Sequence, residues 1–100
     1  MHVTRIIPES FKVEGALAFE DCAVEVWLGD IEKDGEVRQK AAMRVCVLFK
    51  SNDNEFQQVF KGYNMLKNAC EWLLIHTEGE FNYNNIGPKW LSELYDNACL

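Results

Sequence analysis

Two alternating apolar runs flank an Asp-Gly pair near the middle of the chain. The first runs from Cys22 to Leu28, the second from Ala41 to Leu48, and Asp34-Gly35 lies between them. Alternation with a period of two marks a half-buried strand, and Asp-Gly suits the positive φ angles of a type I′ turn. Residues 21–50 therefore read as a β-hairpin. With Asp34 and Gly35 at the centre of the turn, Glu32 faces Val37, Leu28 faces Ala41, Val26 faces Met43, Val24 faces Val45 and Cys22 faces Val47. That face is almost wholly apolar and belongs against a core. A slip of one residue would turn it to solvent, so the register is well specified.

The other face of the hairpin carries Ala23, Glu25, Trp27 and Ile31 beside Ala42, Arg44, Cys46 and Leu48, with Arg38 and Lys40 nearer the turn. In this register Glu25 sits opposite Arg44 as a cross-strand ion pair, and Trp27 faces Ala42. A solvated sheet face is usually more polar than this. Two readings stand. Loops or the N-terminal segment cover the patch, or it docks a second chain with Trp27 as an anchor among small neighbours.

Upstream, residues 2–7 read as a short strand ended by Pro8, which cannot donate to a ladder. In residues 9–20, Phe11, Val13, Leu17 and Phe19 alternate like a strand, although Gly15 interrupts and the alanines suit a helix. The strand reading gives a sheet of three or four antiparallel strands. A kink or bulge near Glu20-Asp21 is then needed to bring Phe19 onto the apolar face. Residues 36–50 fully extended would span about 50 Å at roughly 3.4 Å per residue. That is too long for so small a domain, so the hairpin must bend or fray near its turn.

Downstream, Asn52 with Glu55 three residues on has the form of a capping box. From about 53 to 77 the pattern is helical. Phe56, Val59, Phe60, Tyr63, Leu66, Cys70, Leu73 and Leu74 recur at spacings of three and four. Gly79 suits the stop. Lys67 falls inside this apolar arc, so it snorkels, or the helix bends or breaks at Gly62. Met65, Ala69, Trp72 and His76 make a second stripe, available for another element. Gly87-Pro88 opens a last helix, about 88–98, whose apolar face is Trp90, Leu91, Leu94, Tyr95 and Ala98. It should pack on the long helix, with Trp90 or Leu94 near Trp72. The pattern amounts to a single α+β domain over residues 1–100. It is a two-layer sandwich of a 3–4-stranded antiparallel sheet, one long helix and one short C-terminal helix.

Composition narrows the function classes. The chain has 100 residues, is 48% hydrophobic and carries a net charge of −6, enough apolar material for a core. Residues 38–50 are net +4 and the flanking stretches are net −6 and −4. An acidic balance argues against nucleic acid as a ligand, because backbone binding needs clustered Lys and Arg. There is no apolar run of membrane-spanning length and no signal-peptide pattern, so the sequence reads as cytoplasmic. Cys22, Cys46, Cys70 and Cys99 form no Cys-x-x-Cys pair and no zinc spacing with His2 or His76. Three or four of them read as reduced core thiols, and no metal or cofactor is expected.

Chemistry is sparse. His76, helped by Glu78 or Glu80, has the form of a general base, but no nucleophile stands at an obvious spacing. A helix-terminal packing role is the plainer reading. The stretch Asn82 to Asn85, with Phe81 and Tyr83, is a loop or an adaptable contact. Three functions stay open. The first is an interaction module, either a homodimer or a small acidic inhibitor or immunity-type binder. It would use the surface of Ala23, Glu25, Trp27, Ala42, Arg44, Cys46 and Leu48. The second is a small-molecule site between sheet and long helix lined by Phe56, Phe60, Tyr63 and Trp90. The third is an enzyme using His76 or a cysteine, on the weakest footing.

Overall fold

The Asp-Gly turn forms as the pattern requires. Asp34 and Gly35 both adopt positive φ, 53° and 83°, and Lys33 pairs with Glu36. The computed structural model describes residues 3–82 and 87–100. Four strands, β1 (Thr4–Ala18), β2 (Cys22–Lys33), β3 (Glu36–Phe49) and β4 (Glu55–Lys61), form one antiparallel meander in the order β1-β2-β3-β4. Two helices, α1 (Met65–His76) and α2 (Gly87–Ala98), complete an α+β two-layer sandwich.

The core lies between the layers. Cys22, Val24, Val26 and Leu28 of β2 and Met43, Val45 and Val47 of β3 are buried against Met65, Ala69 and Leu73 of α1, Leu91 of α2 and Phe81. Burying a side chain of this size contributes roughly 1.5–3 kcal/mol, so the hairpin face is the main apolar surface of the fold. Thr77, fully buried at the end of α1, is satisfied within the backbone. Its Oγ1 donates to the Leu73 carbonyl at 2.6 Å and accepts the Phe81 N–H at 3.0 Å.

The pairing of β2 with β3 departs from a plain hairpin. Near the turn Ile31 pairs with Arg38, but further along Gly29 pairs with Ala42, Leu28 with Met43, Val26 with Val45 and Val24 with Val47. Three residues of β3 therefore stand against Asp30 alone. The two extra residues shift the partners by one full pleat, so every side chain keeps its face while its cross-strand neighbour changes. Lys40, at the centre of the bulge, has φ 57°. Its N–H donates to Asp30 Oδ1 at 3.0 Å, and the Asp30 N–H donates to Ser10 Oγ at 2.7 Å. Ser10 sits in a matching irregularity of β1 beside Pro8, and its hydroxyl donates to the Ile7 carbonyl at 2.6 Å. The ammonium of Lys40 reaches the Ala98 carbonyl at the C-terminal end of α2, where the helix dipole favours a cation. β3 runs unbroken from Glu36 to Phe49, so the hairpin does not fray at its turn, and the irregularity takes the form of these register shifts.

Residues 4–18 form one strand rather than a short strand stopped at Pro8, because the bulge takes Pro8 out of the ladder. At Glu20-Asp21 the chain reverses in a tight turn, with the Phe19 N–H donating to the Cys22 carbonyl at 2.8 Å. That turn, not a kink in a continuous strand, sets Phe19 against the core, edge-on to Phe81 at 6.4 Å.

The long helix over 53–77 is corrected. Its first part is β4, and α1 begins only at Met65. Asn52 does not cap a helix. Its Oδ1 accepts the Asn54 N–H at 3.0 Å and folds the link from β3 to β4, where the Phe49 N–H donates to the Asn54 carbonyl. Gly62, at φ 92°, makes the break between strand and helix that a non-glycine residue would resist. With the start moved, the stripe Met65-Ala69-Trp72-His76 faces the sheet, and Lys67 is simply exposed. α2 forms with the expected apolar face and packs on α1 and β1. Trp90 and Leu94 lie over Gly15 of β1, however, whereas Trp72 meets Phe60 of β4.

Candidate functional site

Both helices cover one face of the sheet. On the other, Ala23, Glu25, Trp27 and Gly29 of β2 alternate beside Ala42, Arg44, Cys46 and Leu48 of β3. β1 adds Val13, Ala16 and Ala18, and β4 adds Glu55, Gln57, Val59 and Lys61. The bulge sets the pairs. Trp27 stands opposite Arg44, Glu25 opposite Cys46 and Ala23 opposite Leu48. The expected pairings of Glu25 with Arg44 and Trp27 with Ala42 are corrected by that two-residue shift.

The new neighbours build a different cluster. The Arg44 guanidinium lies 4.4 Å from the Trp27 ring centroid and 5.4 Å from that of Phe11. Stacking of this kind contributes about 0.5–1 kcal/mol where partly exposed. The Trp27 indole N–H donates to Glu25 Oε1 at 2.5 Å. Phe11 reaches the cluster because Gly29 leaves room. A Cβ at residue 29 would come within 2.6 Å of the Phe11 ring. Arg44 Nε is shielded from solvent and has no hydrogen-bond partner among the described residues.

Beside this cluster lies a shallow depression of about 190 Å³. Ala23 and Cys46 line it, with Ala16, Leu48, Glu25 and Glu55 around them. Leu48 is 45% exposed. Burial pushes the Cys46 thiol above its usual range, and the neighbouring Arg44 charge opposes that shift. The depression thus offers apolar walls with two carboxylates beside them and a neutral thiol.

All seven residues expected at the interaction surface share this face. Ala42 alone is fully buried, and no helix among the described residues overlies the patch. Phe11 was the member missed. Its alternation with Val13 marked a strand, but the bulge between Ile7 and Lys12 concealed its face.

The aromatic cleft is corrected. Phe56 and Phe60 lie under α1, where Phe60 meets Trp72 at 6.3 Å and Phe56 meets His76 at 5.7 Å. Tyr63 is fully exposed in the turn before α1, and Trp90 is on α2 against β1. The four do not line one cavity, because the strand–turn–helix path separates residues that a single helix would have aligned. His76 is stacked on Trp72 at 4.0 Å, with Nδ1 2.9 Å from the Trp72 carbonyl oxygen. Cys22 is buried, and its thiol donates to Glu80 Oε2 at 3.2 Å. His2 and residues 83–86 of the amide-rich stretch lie outside the described residues. Asn82 donates through its side chain to the Gly79 carbonyl.

Among the described residues no helix is long and apolar enough to cross a membrane, and no cluster of three His, Cys, Asp or Glu side chains is placed to hold a metal. No family model matches the chain, and no curated protein or solved structure matches it.

Proposed function

We propose that this chain is a protein-interaction module that docks a second protein on the open face of its sheet. The observation that carries this reading is the Trp27–Arg44–Phe11 cluster beside an apolar depression, on a face that neither helix covers. Aromatic and Arg side chains are enriched among interface anchors, and a half-exposed Leu beside small residues suits a partner's apolar side chain. Glu25 and Glu55 at the depression, with the net charge of −6, favour a partner whose apolar contact is flanked by Lys or Arg. The module would act by occupying its partner's surface, in the manner of a small inhibitor.

Affinity capture from the native host tests this with matched variants. The unmodified chain should retain a discrete partner. Trp27→Glu and Leu48→Glu should each weaken retention by roughly 30-fold or more, as expected for a lost anchor. Lys67→Glu, on the exposed side of α1, should leave retention unchanged. Capture of the same proteins at the same yield by the chain and by both open-face variants would overturn the reading.

A further inference from the structure

The outer edge of β4 faces no other strand among the described residues, and it has none of the bulges and no proline of the kind that blunt the edge at β1. Its seven residues read Glu55-Phe-Gln-Gln-Val-Phe-Lys61. Turned antiparallel against a copy of itself about Gln58, this segment is self-complementary. Glu55 falls opposite Lys61 of the second copy, Phe56 opposite Phe60, Gln57 opposite Val59 and Gln58 opposite itself. We infer that two copies of this chain pair through β4 in this register, making a two-fold dimer with one continuous eight-stranded sheet.

Symmetry and chemistry select the register. A two-fold axis perpendicular to the sheet keeps each side chain on its own face, so only registers offset by whole pleats are allowed. Of these, the one centred on Gln58 pairs all seven residues, joins opposite charges at both ends and sets Phe against Phe on the helix side. A second observation concerns α1. Trp72 meets Phe60 and His76 meets Phe56, both of β4, while Ile75, next to His76 in α1, is 70% exposed and Phe56 is 43% exposed. Part of the Phe56 ring on this strand is thus open to solvent, and a second copy paired along β4 would cover it.

The inference deepens the reading of the chain as an interaction module but uses the edge rather than the face. Both helices of each copy stay on one side, and the two Trp27 clusters share the other. They would lie about 24 Å apart, five strand spacings of roughly 4.8 Å.

Sedimentation equilibrium on the full chain tests it. The unmodified protein should have twice its 11.6 kDa chain mass at micromolar to tens of micromolar concentration. Gln58→Lys sets two ammonium groups across the axis and should raise the dissociation constant about tenfold or more. Glu55→Lys and Lys61→Glu should each weaken the dimer, and the Glu55→Lys/Lys61→Glu double variant should restore it to within about threefold of the unmodified chain. Thermal melting confirms that each variant is folded, and the charge-swap set carries the test if Gln58→Lys is not. A monomer at about 100 μM overturns the inference. So does a double variant no tighter than the two single ones. Trp27→Glu leaves this dimer intact, so loss of dimer in that variant with retention in Gln58→Lys would move self-association to the face and overturn the edge. Edge pairing in a chain that captures no partner would instead leave the inference standing and refute the docking reading.

Discussion

Arg44 shows how one local irregularity redirects chemistry. Two extra residues in β3 carry it from Glu25 to Trp27, so a surface ion pair is replaced by a stacked cation between two aromatic rings. An exposed ion pair contributes little, whereas a guanidinium over an aromatic ring contributes about 0.5–1 kcal/mol where partly exposed. Cys22 shows the opposite environment. Burial first, and then its hydrogen bond to Glu80, push this thiol from 9.0 up to about 12. Below pH 9 the folded and unfolded chains both hold the proton, and the contribution to stability is complete. Between about 9 and 12 the unfolded chain gives it up while the folded chain keeps it, so the unfolded state binds fewer protons and stability falls as pH rises. Urea unfolding between pH 8 and 11 should show that decline, and it should be shallower in Cys22→Ala. Equal slopes would contradict the assignment. Burial also raises Cys46, Cys70 and Tyr95, so part of the slope remains in the variant.

At the scale of the element, the segment 55–65 separates what the sequence makes legible from what it does not. Phe56, Val59, Phe60 and Tyr63 have helical spacing, but Phe56 and Phe60 are also four apart on one face of a strand. Periodicity alone does not choose between these, and tertiary pairing with β3 does. The clue lay in Gly62, at a position where the chain needs φ 92° and where a Cβ would meet nothing within 4 Å. Gly62→Ala should therefore destabilise the fold by about 1–2 kcal/mol through backbone strain alone. In a continuous helix the same change would stabilise by roughly 1 kcal/mol, so the sign measured in urea unfolding decides between the two. The hairpin was legible because its turn and its alternation agree. Its exact partners were not, because Gln39-Lys40-Ala41 carry no local mark of a bulge. That bulge depends on Asp30, Ser10 and the end of α2, far apart in sequence. The seven residues of the open face survived this error because a shift of two preserves faces. The four aromatics of the supposed cleft did not survive, because a strand and a helix place residues 56, 60 and 63 differently.

At the scale of the whole molecule, two helices cannot cover both faces of a four-stranded meander. α1 lies on β3 and β4 and α2 reaches β1, so all of the helical layer is spent on the face that holds the core. The second face is left with Trp27, Arg44 and Phe11 at its centre and an apolar depression flanked by two carboxylates beside them, and it is this asymmetry that makes the chain read as a docking module. The most direct measurement is photo-crosslinking in the native host, with a photoreactive side chain replacing Leu48 in one variant and Lys67 in another. Position 48 should give a discrete adduct to a second protein and position 67 none. The same adducts from both positions, or none from position 48, would contradict it.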